Sequence, residues 1–519
     1  MHFVQCCRGS GRMEITMKQK TIVSLLLAAV VLAAVSSCGD SSEKGKEENT
    51  TPTDSTAATE AVTEETLKSL LPEGLDYGGA EFRVLSGPYF ENDVWMLHVD
   101  EASGDVVNDA VYNRIAKTES DLNMKFTYTD ICTQTSGSED PAKLITRSVT
   151  AGSDDYDLIF GCAYNLAPLV VNNMFYNLEG NEYLHLDQPW WYQNFNKELT
   201  IGEGKTFFVT GDITLGVLRN MSCMYVNKQL YSQYYESVDE MYQEVLDGKW
   251  TFERLAQNCT DLYQDLNGDG KPSDEDRYGI GVITASLTDH FTYDAGIRVT
   301  ARDENNLPYL VMNNEKTVNH TQRLYDLYYQ NPGVRVFPPD YNSLDIVMPK
   351  KFNANELLYL PGWFYTSELL RDMEVDYAVI PFPKYDESQE TYLSLAHDIS
   401  VIACLPSTCT KADMAGAVME TLAFEGYKNL LPAYYEVAIK VKYTRDSTDA
   451  AMQILDIIHD NSTTDFAFIY NYALNGIGLI ERDLMGGKSA DFASKYAKSE
   501  KTYQKKLDKL IEAYTSIDS

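Results

Sequence analysis

An α/β fold is predicted by a strand–helix–strand–helix–strand series near the start of the globular part of the chain. Residues 80–85 read as a first strand, and residues 109–122 carry apolar side chains at helical spacing. A second strand is predicted over 124–128, a second helix over 142–151, and a third, buried strand over 156–160. Because helices alternate with strands, the series favours a parallel sheet with right-handed crossovers.

Length and charge restrict the architecture and the partners. Beyond residue 70 about 450 residues remain, enough for two or three domains with cores of their own. The formal net charge is −34, from 43 basic and 77 acidic residues. So acidic a surface repels nucleic acid and anionic lipid. We therefore predict no nucleic-acid partner.

The N-terminal region has the order of an export signal. Lys18 and Lys20 precede an apolar run of about 14 residues, too short to span a bilayer comfortably. Two serines then lead to Cys38, a pattern that resembles the lipobox of bacterial lipoproteins. We expect residues 1–37 to be a signal peptide and Cys38 to carry the lipid chains that anchor the protein. An ordinary secretory signal with a chance cysteine is the alternative.

The segments on either side of this signal are expected to lie outside the fold. Residues 1–16 do not fit a signal peptide, and Met17 begins a better one, so we expect the true start there. Residues 38–70 are mostly polar and cannot bury enough apolar surface to offset chain entropy. They are expected to form a disordered tether that holds the globular part at the extracellular face of the cell membrane.

Six short segments are spread along the globular part, at residues 155–160, 224–230, 248–255, 352–363, 377–384 and 400–411. They resemble, in the same order, motifs of the extracellular solute-binding proteins of the carbohydrate class, family 1, of which maltose-binding protein is the best-known member. Asn355 stands where that family usually has Gly.

The resemblance implies a two-lobed periplasmic-binding-protein-like fold of class II type, with a ligand cleft between the lobes. It implies a first lobe from residues 75–205 and about 385–430, and a second from about 206–384 and 431–519. It also implies a monomeric, non-enzymatic protein that captures a carbohydrate, most simply an oligosaccharide. The partners would be the membrane permeases of an ABC importer.

Aromatic side chains are the first candidates for sugar contacts, since sugars present C–H faces to flat rings. The chain has 36 Tyr and 5 Trp. Trp363 follows a predicted buried strand, residues 357–360, and a Pro-Gly turn, where the family's stacking Trp lies; capping of the core is the alternative. Trp190 and Trp191 are candidates for a second platform, with a core or hinge anchor as the alternative.

Polar candidates lie near the ends of predicted strands. Tyr164 and Asn165 follow the strand over 156–160, a position that usually faces the cleft, although a plain loop is the alternative. Asp212 could accept sugar hydroxyls near the lobe crossing, and Asp398, at the head of a predicted strand over 399–405, is a second candidate. Either could instead cap a helix or form a turn.

Residues 265–276 match the twelve-residue calcium loop. Oxygen ligands fall at loop positions 1, 3 and 5, and Gly is at position 6 for the sharp turn. Position 12 carries Asp where Glu is usual. We expect a structural Ca²⁺, and a metal-free turn of Asx and Gly residues is the alternative. The expected ligands are Asp265, Asn267, Asp269, the Lys271 carbonyl, Ser273 and Asp276.

Other activities find less support. The chain has 7 His and carries no HExxH, Walker or GxSxG motif. A surface-tethered glycoside hydrolase and a glycan-binding adhesin are the alternatives from other classes. The six cysteines after Cys38 form no zinc-spaced set. Cys404 and Cys409 are close enough in sequence to be bridged, or they are small buried side chains.

Overall fold

The computed structural model describes residues 68–134, 140–235, 237–435 and 449–517. The predicted signal peptide, Cys38 and nearly all of the predicted tether lie outside these ranges. Within them, no helix combines the length and the apolar character needed to cross a membrane.

Strands and helices alternate along most of the described chain. The strands are β1 (Ala80–Gly87), β2 (Met124–Asp130), β3 (Leu158–Cys162), β4 (Ser222–Asn227), β5 (Tyr278–Ile283), β6 (Thr300–Arg302), β7 (Pro308–Leu310), β8 (Val334–Phe337), β9 (Leu357–Trp363), β10 (Tyr377–Ile380), β11 (Ser394–Leu395), β12 (Val401–Cys404) and β13 (Ser462–Thr463). The α-helices are Val106–Leu122, Pro141–Thr150, Ala163–Leu166, Gln193–Leu199, Gly216–Arg219, Lys228–Tyr234, Val238–Leu246, Phe252–Thr260, Ser286–Asp294, Glu315–Tyr329, Met348–Asn353, Thr366–Leu370, Ala412–Glu425, Leu431–Tyr434, Asp449–Asp460, Phe466–Ile469, Ile480–Gly486 and Phe492–Thr515.

The first sheet has the strand order β12-β3-β1-β2. β1 pairs in parallel with both β2 and β3, which confirms the predicted parallel series. β12 pairs antiparallel with β3. The helix Val106–Leu122 forms where predicted because Asp105 accepts hydrogen bonds from the amides of Val107 and Asn108 and caps its first turn.

The second sheet has the strand order β10-β4-β9-β5-β8. β5 pairs in parallel with β8 and β9, whereas β4 pairs antiparallel with β9 and β10. Every residue of β4, β5, β9 and β10 is buried, as expected of strands covered on both faces. Each sheet with its covering helices forms one lobe.

In the part of the chain that the structure describes, two segments that lie side by side connect strands of one sheet to strands of the other. One runs from β3 to β4, and the other runs from β10 to β12. Met221 pairs with Ala396, and Val209 pairs with Ala403, in antiparallel bridges. The first lobe is therefore discontinuous in sequence, because β12 returns to it after the second sheet is complete. The predicted residue boundaries of the lobes stay predictions.

The predicted turn at Pro361-Gly362 is wrong. β9 continues through both residues to Trp363, and Pro361 pairs with Met224 of β4. On its other side, β9 pairs with β5 only as far as Tyr359. A proline is tolerated beyond that point because no neighbouring strand needs its missing N–H. Trp363 therefore ends a strand, and the next helix begins at Thr366.

The backbone conformation of Asn355 explains why Asn can stand where the resembling family usually has Gly. Its φ is 59°, in the left-handed region that favours Gly and tolerates Asn. Its side-chain Oδ1 accepts a hydrogen bond of 2.8 Å from the Asn227 amide. The residue therefore makes the turn into β9 and ties it to the end of β4.

Candidate ligand cleft

A cavity of about 360 Å³ lies between loops that follow strands of both sheets. Tyr89 follows β1 and Tyr164 follows β3, while Ala285 follows β5 and Tyr341 follows β8. The cavity therefore opens at the carboxyl ends of strands from both lobes, where open α/β sheets bind ligands. The remaining lining residues are Ile283, Ser286, Pro339, Asp340, Leu344, His397, Asp398, Ile399, Tyr472, Leu479 and Arg482.

Four tyrosines surround this cavity. The hydroxyl of Tyr341 donates a hydrogen bond of 3.2 Å to the hydroxyl of Tyr89, so that side chains from the two lobes meet. The ring of Tyr164 lies 6.2 Å from that of Tyr89 and 5.7 Å from that of Tyr472. Tyr341 and Tyr472 remain 44% and 69% exposed. Such rings offer flat apolar faces together with hydroxyls, the two features that a sugar requires of its site.

The floor of the cavity is polar and charged. Oδ1 of Asp398 lies 2.8 Å from Nδ1 of His397. Arg482 pairs with Asp289, and burial lowers the pKa of its guanidinium to about 10. Oδ2 of Asp289 also lies 3.7 Å from Nε2 of His397. The floor thus places carboxylate acceptors beside a guanidinium donor.

Three of the residues that sequence analysis selected come together here. Tyr164 and Asp398 both line the cavity, and the amide of Tyr164 donates to the carbonyl of Asp398 at 3.0 Å. Asn165 is next to them, and its Oδ1 is buried without a hydrogen-bond partner among the described residues. Their contact with a ligand stays a prediction.

Trp363 lies behind the cavity wall. It is 3% exposed and is not among the lining residues. Its ring is 4.9 Å from that of His290 and stacks on Tyr365 at 5.4 Å with an interplanar angle of 18°. Its Nε1 is buried without a partner among the described residues. This environment favours the core-capping interpretation over the sugar-stacking one.

Trp190 and Trp191 are packed in the interior. Their indole N–H groups donate to the two carboxylate oxygens of Glu420 at 3.2 and 3.1 Å. The ring of Trp190 also contacts that of Phe424 edge-on. Neither Trp lines the cavity between the lobes. The contacts favour the core or hinge anchor that was the alternative for this pair.

Asp212 is buried within the crossing segment from β3 to β4 and does not line the cavity. Its Oδ1 accepts a hydrogen bond of 2.8 Å from the hydroxyl of Tyr192, and its Oδ2 has no partner among the described residues. Burial raises the pKa of this carboxyl to about 7, although the nearby His459 opposes the shift. The contacts shown here fit a structural carboxyl better than a sugar ligand.

The predicted calcium loop is held together by hydrogen bonds from its own backbone. The carboxylate of Asp265 accepts the amides of Gly268 and Gly270 at 2.7 and 2.8 Å. The carboxylate of Asp276 accepts the amides of Leu266 and Ser273 at 3.1 and 2.7 Å. Both oxygens of the residue at position 12 are therefore used within the loop. Among the described residues, no group of three or more His, Cys, Asp or Glu side chains is arranged to hold a metal. The Ca²⁺ site stays a prediction.

Cys404 and Cys409 are not joined by a disulfide. Cys404 is buried in β12, and burial raises the pKa of its thiol well above the usual value. Cys409 Sγ lies 3.7 Å from the carbonyl oxygen of Asp157. Of the two alternatives for this pair, the structure shows the unbridged one.

Sequence reasoning missed several lining residues. Tyr89 could have been found as Tyr164 was, because it follows a predicted strand by a few residues. Tyr341, Tyr472 and Arg482 carried no such signal, since they come from a loop and from the C-terminal region that matched the family least.

Comparison with known proteins gives the class of fold. No protein-family model and no curated protein sequence matches the chain. The GacH receptor of Streptomyces glaucescens, solved with and without acarbose, matches 83% of this chain and 99% of its own, at 12% identity and a TM-score of 0.52. The maltose/maltodextrin-binding domain MalE of Bdellovibrio bacteriovorus, bound to maltotriose, matches 83% of this chain and 100% of its own, at 14% identity and 0.50.

A third solved structure agrees with these two. The ABC transporter solute-binding protein of Thermotoga lettingae, bound to α-D-tagatose, matches 83% of this chain and 100% of its own, at 12% identity and a TM-score of 0.50. The fold is therefore that of the solute-binding proteins of ABC transporters, two α/β lobes with a cleft between them. This confirms the predicted fold class. The three are a receptor, a maltose/maltodextrin-binding domain and a solute-binding protein.

Proposed function

We propose that this protein captures a carbohydrate between its two lobes and delivers it to an ABC importer. One observation carries the proposal. A cavity of about 360 Å³ at the carboxyl ends of strands from both sheets is lined by four tyrosines above a floor with Asp398 and Arg482. That volume is at the small end of the range typical of ligand sites, which suits one or a few sugar units.

Different lining residues would make different kinds of contact with the sugar. The tyrosine rings would pack on C–H faces of the sugar, and their hydroxyls would exchange hydrogen bonds with it. Asp398 would accept from sugar hydroxyls, and Arg482 would donate to them while it stays paired with Asp289. Ligand contacts on both lobes favour the closed arrangement, in which Tyr341 reaches Tyr89.

Anchoring and transport complete the proposal. Cys38 would carry the lipid, and residues 38–70 would tether the lobes at the extracellular face of the membrane. The bound form would be presented by a monomer to the permease subunits. A Ca²⁺ ion in the loop 265–276 would add stability away from the cleft. We expect the protein to have no catalytic activity. An oligosaccharide that is incubated with it should therefore be recovered intact by chromatography.

A thermal-shift screen tests the binding step. A ligand that binds only the folded protein raises the apparent stability, by about 2.7 kcal/mol at a concentration one hundred times its dissociation constant. Neutral mono- and oligosaccharides of different linkages should include at least one that raises the melting temperature. Asp398→Asn should reduce that rise, whereas Glu304→Gln, at an exposed site, should not.

Two results would contradict the proposal. One is a panel in which no carbohydrate stabilises the wild type. The other is an unchanged ligand response in Asp398→Asn, provided that this variant and Glu304→Gln melt at the wild-type temperature without ligand.

A further inference from the structure

A second cavity, of about 340 Å³, shares a wall with the first. Phe90 lines the second cavity, whereas its neighbour Tyr89 lines the first. On the other side of the cleft, Asp345 lines the second cavity and Tyr341 lines the first. The rings of Phe90 and Tyr341 meet edge-on at 5.4 Å and close the wall between them. The two cavities are therefore adjacent compartments between the same two lobes.

Arg219 lines this second compartment, and two carboxylates neutralise its positive charge. Its Nε and Nη2 donate to the two oxygens of Glu368 at 2.9 and 3.0 Å, and its Nη1 donates to Asp93 at 2.9 Å. Only 7% of the residue is exposed. Two carboxylates thus surround one guanidinium, so Arg219 is not a free cation that could attract an anionic ligand.

Asp345 adds a third carboxylate to the compartment. Its Oδ1 accepts a hydrogen bond of 3.0 Å from the hydroxyl of Tyr365. No ion pair joins it to a cationic side chain among the described residues. Burial raises the pKa of this carboxyl by desolvation, and the hydrogen bond from Tyr365 opposes that shift. The compartment therefore holds three carboxylates against one guanidinium.

Two aromatic rings flank the same space. The guanidinium carbon of Arg219 lies 5.3 Å from the ring of Trp95 and 6.0 Å from that of Tyr365. Trp95 comes from the 3-10 helix Glu91–Met96 that follows β1, and Tyr365 comes from the turn after β9, so the rings belong to different lobes. Ring faces attract cations as well as apolar surfaces. A ligand that reaches this compartment meets negative charge and aromatic faces together.

We propose that the second compartment binds a positively charged amine on the ligand, with Asp345 as its counter-ion and Trp95 and Tyr365 as the flanking rings. The ligand class is then an amino sugar or a saccharide with an amine-bearing unit. This inference rests on the proposed function, since it assigns one part of the same cleft. The charge of the compartment disfavours uronic acids and sugar phosphates.

Three monosaccharides of the same ring size separate the alternatives. D-glucosamine is cationic, D-glucose is neutral and D-glucuronate is anionic near pH 6.5. Their affinities for the wild-type protein can be measured by ligand-observed NMR or calorimetry at one low ionic strength. Glucosamine should bind about tenfold more tightly than glucose, as for one charge-assisted hydrogen bond, and glucuronate should not saturate the protein.

Variants assign the preference to this compartment. Asp345→Asn should bind glucosamine and glucose equally, whereas Glu304→Gln removes one exposed negative charge and should keep the tenfold preference. Trp95→Leu should weaken the binding of glucosamine more than the binding of glucose. This variant provides a second test if Asp345→Asn does not fold. Melting curves without ligand show which variants are folded.

Each contrary outcome overturns the inference. These outcomes are equal affinities for glucosamine and glucose in the wild type, no binding of glucosamine, or a preference that survives both variants. If neutral oligosaccharides still stabilise the protein in that case, the proposed function stands and only the assignment of the second compartment fails. If no carbohydrate of any charge binds, the proposed function fails as well.

Discussion

Replacement of Asp212 by Asn should stabilise the protein at neutral and alkaline pH. The carboxyl pKa is 3.8 in a solvent-exposed reference and about 7 in the fold. A group whose pKa is raised by folding contributes its full stability below the reference pKa and loses it as the pH rises through the folded pKa. Ionisation of Asp212 should therefore lower the free energy of unfolding between about pH 4 and pH 7, by on the order of 4 kcal/mol at most.

The groups around Asp212 determine how much of this decrease in the free energy of unfolding is observed. The groups facing it are the phenols of Tyr192, Tyr427 and Tyr435 and the imidazole of His459. Burial opposes the charging of His459, but its hydrogen bond to Asp460 and the charge of Asp212 raise the imidazole pKa overall. A raised imidazole pKa also contributes stability at low pH that is lost as the pH rises. The two effects have the same sign.

Urea unfolding of wild type and Asp212→Asn at several pH values from 4 to 8 measures the effect. Asn keeps an oxygen that can accept from Tyr192 but cannot ionise. We expect the two proteins to converge near pH 4 and the variant to be about 2 to 4 kcal/mol more stable at pH 8. Glu304→Gln is the control, because its exposed carboxyl should leave the pH dependence unchanged. Parallel stability curves for wild type and Asp212→Asn, or a variant that is less stable at pH 8, would refute the reasoning.

The remaining predictions concern the core, the metal and the anchor. Trp363→Ala should lower the free energy of unfolding by about 3 to 5 kcal/mol, as for truncation of a buried Trp, and leave the affinity of the folded fraction nearly unchanged. A loss of affinity of about thirtyfold, or 2 kcal/mol, with little loss of stability would instead support sugar stacking. Chelation of Ca²⁺ should lower the melting temperature, and Asp265→Ala should remove that sensitivity; identical melting curves in excess calcium and excess chelator contradict the metal site. Cys38→Ala should leave the protein unprocessed or release it from the membrane fraction, and a wild-type Cys38 without lipid in mass spectrometry would exclude anchoring there.

The strands of the first sheet were predictable because their signals are local. Side-chain alternation over 80–85 and 124–128 and the buried run over 156–160 each mark a strand without reference to the rest of the chain. The helix between the first two strands also carries its own cap at Asp105. Order along the chain then determined the parallel pairing.

The Pro-Gly pair before Trp363 shows where local signals fail. Both residues favour a turn by their backbone preferences. Pairing with β4 overrode that preference, because the pairing of β9 with β5 stops at Tyr359 and leaves no hydrogen bond there that requires an N–H from Pro361. The position of Trp363 followed from this extension, since a ring that ends a strand packs against the helix beside it.

The lining of the cleft depends on assembly from distant segments. Tyr89, Tyr341 and Tyr472 are separated by more than a hundred residues from one another and meet only in the folded chain. Tyr341 follows two prolines and an aspartate, a composition typical of an exposed loop. No sequence spacing relates these residues to one another. A single sequence could therefore predict which edge of the sheet carries the cleft, but it could not predict which side chains line the cleft.

The contact between the hydroxyls of Tyr89 and Tyr341 has a consequence for how the protein could be observed at work. It is one neutral hydrogen bond, worth about 0.5 to 1.5 kcal/mol, so its loss when the cleft opens costs little. Two phenols this close can also be coupled at their ortho carbons into dityrosine, whose emission differs from that of tyrosine, if an added photo-oxidant accepts the two electrons and two protons that are removed. The initial rate of coupling, after subtraction of the rate in a Tyr89→Phe control, would report how often the lobes meet.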